Sequence, residues 1–124
     1  RLVFTILVSN KDDHLKNHGF LYVGNNRWRL SPMFDVNPAP DRNPHLETAI
    51  LEGGTHERSI AMALEACAFF EIEEPVARTI IRQTAEQISQ SWRVALREEG
   101  VSGALARAYE PAFANDQMAI ALTL

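Results

Sequence analysis

Cysteine is nearly absent. Cys67 stands alone in 124 residues, so no internal disulfide can staple the fold. One thiol inside "AMALEACAFF" reads as a small core residue and fits a reducing, cytoplasmic location. No apolar run reaches the roughly 20 residues that span a bilayer, and no secretory leader is recognisable, so no membrane segment is expected. Positive charge is also scarce: 12 Lys and Arg face 16 Asp and Glu, for a net charge of −4. That balance argues against direct nucleic-acid binding through a broad basic face. Repeats and low-complexity segments are lacking as well. An initiator Met is missing, since Arg1 leads straight into an apolar run at Leu2 without a cap. This start predicts a piece of a larger protein. What is present, 46% hydrophobic residues in a chain of this length, suffices for one globular domain with a real core.

Residues 2–8 are apolar except for Thr5, and periodicity alone leaves a buried strand or the end of a buried helix equally open. The polar stretch "SNKDDHLKN" (residues 9–17) follows. Then "FLYV" and "RWRL" flank "GNN", which predicts a β-hairpin turning at Gly24, Asn25 and Asn26. Four prolines, at 32, 38, 40 and 44, make 31–44 an irregular loop. "HLETAI" reads as one more short strand before Gly53-Gly54. The remainder is helical. Ser59 is placed to cap a helix with Ile60, Leu64, Cys67 and Ala68 on one face. Pro75 suits a first turn after Glu73 and Glu74. A stripe through Ala77, Ile80, Ile81, Thr84, Ile88, Trp92, Ala95 and Leu96 then runs to a stop at Gly100. Ser102 caps a last helix through Leu105 and Tyr109, which Pro111 breaks or kinks before Phe113. The tail "MAIALTL" packs on the helices, and both tryptophans are expected to be packing residues.

The polar stretch holds the groups that phosphoryl transfer requires. A carboxylate must orient the attacking hydroxyl and accept its proton; an amide oxygen and a second carboxylate must hold Mg²⁺ against nucleotide phosphates. Asp12 and Asn17 lie five apart, the spacing of a kinase catalytic loop, and Asp35 follows Phe34 after the hairpin. The hairpin reverses the chain so that Asp35 can return towards Asn17. Each residue also has a plainer role. Asp12 and Asn17 suit turn chemistry, Asp35 a loop cap, and His14 with His18 and nearby Asp residues a zinc or iron site.

"SNKDDHLKNHGFLY" followed by "WRLSPMFDVNP" resembles the catalytic and metal-binding segments of the HipA-type serine/threonine kinases. The shared pattern is Asn-x-Asp-x-His-x-Lys-Asn, a short hairpin, then Leu-x-Pro-x-(Phe/Tyr)-Asp. It falls here on Asn10, Asp12, His14, Lys16 and Asn17, then Leu30, Pro32, Phe34 and Asp35. "SWR" at 91–93 resembles the family's C-terminal region more loosely.

The resemblance implies an α+β, mostly α fold: residues 1–124 as the helical C-terminal lobe of a protein-kinase-like fold, with residues 1–8 ending a helix beneath the loop. It implies Asp12 as catalytic base, supported by His14 and Lys16, and Asn17 and Asp35 as Mg²⁺ ligands beside ATP. His14 is expected to bond the loop's backbone, and Asp13 and His18 to be bystanders, Asp13 solvated. By resemblance the substrate is a translation-related protein hydroxyl, the parent is a toxin, and an antitoxin is a possible partner. A Gly-rich loop and a phosphate-clamping Lys are absent, since Gly53-Gly54 lacks strand–loop–strand context. The chain is therefore expected to be half of a kinase and inactive alone. The competing readings are a catalytically silent interaction module and a lipid or small-molecule kinase, whose loop shares Asp-x-His-x-x-Asn.

Overall fold

The computed structural model describes residues 1–41 and 45–124. Pro44, the last of the four loop prolines, lies outside the described residues. The apolar opening run folds as helix α1 (Leu2–Leu7), which decides between the strand and helix readings. It ends in a Schellman motif: the amide of Ser9 donates to Ile6 O at 3.2 Å and that of Asn10 to Thr5 O at 3.0 Å. Ser9 occupies the left-handed position, φ 58°, that glycine usually fills.

After a 3₁₀ turn at Leu15–Asn17 come β1 (Phe20–Tyr22) and β2 (Trp28–Leu30), paired antiparallel with Phe20 opposite Leu30 and Tyr22 opposite Trp28. Gly24, Asn25 and Asn26 all have positive φ at the tip, as their turn chemistry requires. "HLETAI" does not form a strand. Only His45 makes an isolated bridge, to Glu57, while Leu46 is buried in the core.

Helix α2 (Ile60–Glu65) begins where Ser59 Oγ accepts from Met62 N at 3.2 Å, then tightens into a 3₁₀ turn at Ala66–Phe70. That tightening turns Ala68 to solvent, off the expected apolar face. Helix α3 (Glu74–Glu98) is the spine of the domain, with Pro75 in its first turn and a stop at Gly100, φ 80°. Its buried stripe is Ala77, Ile81, Ala85, Ile88 and Trp92; Ile80 and Ala95 lie outside it and are exposed. Helix α4 (Gly103–Phe113) contains Pro111, whose missing N–H cannot reach back to Arg107, and the helix ends two residues later. Asn115 Oδ1 then accepts from Met118 N at 3.0 Å to start α5 (Asp116–Leu122).

Helices α1, α2, α3 and α5 surround one core containing Ile6, Leu7, Ile60, Ile81, Ile88 and Met118. Trp92 is buried and stacks on Phe113 at 4.8 Å, with the Arg93 guanidinium 4.2 Å above its ring. Trp28, by contrast, is 63% exposed on the hairpin, its ring beside that of Tyr22. Most of the C-terminal tail lies within α5, where Met118 and Ala121 are buried. The architecture is mostly helical with one two-stranded hairpin. Among the described residues no helix is long and apolar enough to cross a membrane.

Candidate active site

The polar stretch leaves α1 from a firmly held point. Ser9 Oγ donates to Ala112 O at 3.2 Å and accepts from Arg58 Nη1. Asn115 Nδ2 donates to Leu7 O at 3.1 Å and to Ala112 O at 3.0 Å. Arg58 is buried, and that burial pushes its guanidinium below its ordinary value against the pull of Asp41 and Asp116. The start of the loop is thus tied to the α4–α5 corner and to the residue before the Ser59 cap.

Beyond this anchor the side chains separate by direction. The chain at 10–14 is irregular, and neighbouring side chains face opposite ways. Asp12 is exposed, and His14 Nε2 lies 2.6 Å from its Oδ1. His14 therefore contacts the carboxylate rather than the loop backbone. Asn17 is buried and donates from Nδ2 to Asp12 O at 3.0 Å. This bond spans the five-residue interval between them and engages the amide nitrogen, leaving the carbonyl oxygen to accept a hydrogen bond or face a cation. Lys16, between them on the 3₁₀ turn, is exposed.

Asp13 differs from its expected role. It is buried, with its carboxylate 3.6 Å from Arg1 Nε and its carbonyl accepting from Thr48 Oγ1 at 2.5 Å. The reason is geometric: with Asp12 facing solvent, the next side chain faces the protein. Asn10 is also buried and was legible only as a motif position. Its Oδ1 accepts from Asn37 N at 3.3 Å and joins the first loop to the second.

The second loop places Asp35 in the left-handed region, φ 53°, with Asn37 Nδ2 donating to its Oδ1 at 2.9 Å. Asp35 is exposed. The structure thus groups Asp12, His14 and Asn17 directly. It brings the Asp35 segment alongside through Asn10 and Asn37, with no hydrogen bond from Asp35 to Asp12 or Asn17 among the described residues. Nor do three or more His, Cys, Asp or Glu side chains gather anywhere among those residues as a metal cluster.

A largely apolar cleft of about 690 Å³ opens beside the first loop. Phe4, Leu30, Met33, Ile50 and Ile80 contribute to its walls; Asn17 and His18 reach its lining, whereas Asp12 and Asp35 do not.

These two loops, joined by a hairpin and set on a helical base, lie within the span recognised by a known family. The sequence model of the HipA-like C-terminal domain matches residues 1–92, from α1 through both loops to Trp92 on α3. The chain belongs to this family, which is kinase-like. No curated protein and no solved structure matches the chain.

Proposed function

We propose that this domain is the catalytic-loop lobe of a serine/threonine protein kinase that moves the γ-phosphoryl group of ATP to a protein hydroxyl. The observation that carries the reading is the exposed Asp12 carboxylate, held by His14 and five residues from a buried Asn17 whose nitrogen is tied back to Asp12. Asp12 is the group that accepts the hydroxyl proton, and the exposed Lys16 stands near the transferred phosphate. Asn17 and Asp35 are the residues that would hold Mg²⁺, and their all-oxygen donor chemistry suits a hard divalent ion. The ion supplies charge neutralisation at the phosphate oxygens.

No Gly-rich phosphate loop exists in these 124 residues, so the ATP clamp comes from another part of the enzyme, and the domain alone turns over little. A cytoplasmic toxin restrained by an antitoxin and aimed at a translation-related protein fits the family.

The test is labelling from γ-³²P-ATP by the natural full-length protein. Asp12→Asn should lower the rate by roughly 10²–10⁴-fold, the range for loss of a general base. Equal labelling by wild type and variant refutes the proposal. A silent interaction module is the second reading, favoured by a hairpin whose strand residues are all exposed. It predicts no Mg²⁺-dependent nucleotide binding in the full-length protein.

A further inference from the structure

Asp13 carries no role in the proposed chemistry, yet it is held from two sides. Thr48 fixes its carbonyl, and the guanidinium of Arg1, the residue before α1, faces its carboxylate, with side-chain exposures of only 16% and 9% for the Arg1–Asp13 pair. At 3.6 Å the contact is an ion pair rather than a well-formed hydrogen bond. The same guanidinium continues outward: both Nη atoms lie 3.5 Å from the carbonyl oxygen of Phe34. That carbonyl belongs to the peptide group linking Phe34 to Asp35, the residue held at φ 53°.

A left-handed aspartate carries a modest conformational cost that its surroundings offset. The peptide before it lies against a cation, and that cation is ion-paired with Asp13. Asn10 makes a parallel tie to Asn37, two residues beyond Asp35. The second loop is therefore clasped on both sides of Asp35 by Arg1, at the start of α1, and by Asn10 of the first loop.

We infer that Asp13 is a positioning residue, which sets the placement of Asp35 by orienting Arg1 against the Phe34 carbonyl. This rests on the reading of Asp35 as a metal ligand only for its consequence, not for the clasp itself. Removing the Asp13 charge leaves a nearly buried guanidinium without its counter-ion. Arg1 then turns towards water, and the Phe34–Asp35 peptide loses its hold.

The test uses the full-length protein and two readouts. Hydrogen exchange at the Asn37 amide, which donates to Asn10, reports docking of the second loop. Binding of Mn²⁺ alone, followed by its EPR signal, reports the ligand geometry. Asp13→Asn should speed exchange at Asn37 while leaving α3 amides unchanged. It should also weaken Mn²⁺ about tenfold, the low end for loss of a group that orients a metal ligand. Arg1→Met should match it and Arg1→Lys should recover part of the loss; these variants also keep the test open should Asp13→Asn not fold. Unchanged exchange at Asn37 in Asp13→Asn and Arg1→Met overturns the inference. Faster exchange in a protein whose wild type binds no Mn²⁺ upholds the clasp and removes the metal role of Asp35 instead.

Discussion

Ser9 tests how the first loop is anchored, because two opposing effects meet on one residue. Its backbone is left-handed, which costs a non-glycine residue about 1–2 kcal/mol. Its hydroxyl accepts from the buried Arg58, and a hydrogen bond to a charged group contributes about 1.5–3 kcal/mol. Ser9→Ala keeps the backbone cost and loses the hydroxyl. The partners differ in what they lose: Ala112 O keeps its bond from Asn115, and Asn115 keeps Leu7 O. The bond from Arg58 is the one to a charged group, so its loss sets the effect at about 1.5–3 kcal/mol. Ser9→Gly loses the same bond but relieves the backbone, which offsets roughly 1 kcal/mol after the extra chain entropy of glycine is counted. Alanine should therefore be the less stable variant. At about 4 °C per kcal/mol for a domain of this size, Ser9→Ala should lower Tm by about 6–12 °C and Ser9→Gly by clearly less. Thermal unfolding followed by circular dichroism measures both. In an Arg58→Met background the Ser9→Ala effect should shrink to a small residue. A glycine variant less stable than the alanine one, or an undiminished effect without Arg58, refutes the reasoning.

Trp92→Ala removes a buried ring stacked on Phe113 and should cost about 3–5 kcal/mol in urea unfolding. Gly100→Ala adds a Cβ that meets no atom within 4 Å, yet it sits at φ 80°; a loss of about 1–2 kcal/mol in the same measurement would be purely conformational. His14→Ala removes the imidazole 2.6 Å from the Asp12 carboxylate, so labelling of a protein substrate should slow, but by less than in Asp12→Asn. Equal losses would mean that His14 has a part of its own in the chemistry.

Helix α3 was legible because 25 residues give the apolar repeat room to declare itself, and proline and glycine mark its ends. The apolar repeat in the sequence is wider than the buried stripe. Ile80 and Ala95 are apolar, but they lie beside the narrow line through Ile81, Ala85, Ile88 and Trp92 that meets the core. Helix α1 was not legible from periodicity, since six residues are fewer than two turns and its stop uses Ser9 where glycine would have given the signal. The candidate site divides along the same physical line. Asp12, Asn17 and Asp35 were visible as a spacing of chemical groups. The contacts that hold them, from Arg1, Asn10, Thr48 and Asn37, depend on which way each side chain faces. For two adjacent aspartates, only the fold decides which one faces inward. Trp28 is exposed for a related reason: an aromatic side chain is buried only where some element covers the strand, and nothing among the described residues covers this one.

That open hairpin bears on how the site is held. Two strands of three residues are marginal in isolation, and every strand residue here is exposed. What supports the hairpin is local. The tip is closed by Arg27 N donating to Gly24 O at 2.9 Å and Val23 N to Arg27 O at 3.0 Å. The Tyr22 and Trp28 rings lie 5.2 Å apart, and the base is closed by Ser31 N donating to Gly19 O at 2.8 Å. None of these contacts reaches the helical core, so the hairpin cannot by itself fix Asp35 relative to Asn17. It only returns the chain to the right neighbourhood. The last ångströms must come from the clasp across the loops, Asn10 to Asn37 and Asp13 through Arg1 to Phe34. Disorder introduced at the hairpin tip should therefore be absorbed before it reaches the acidic loops. A change at Asp13 should be felt directly at Asp35.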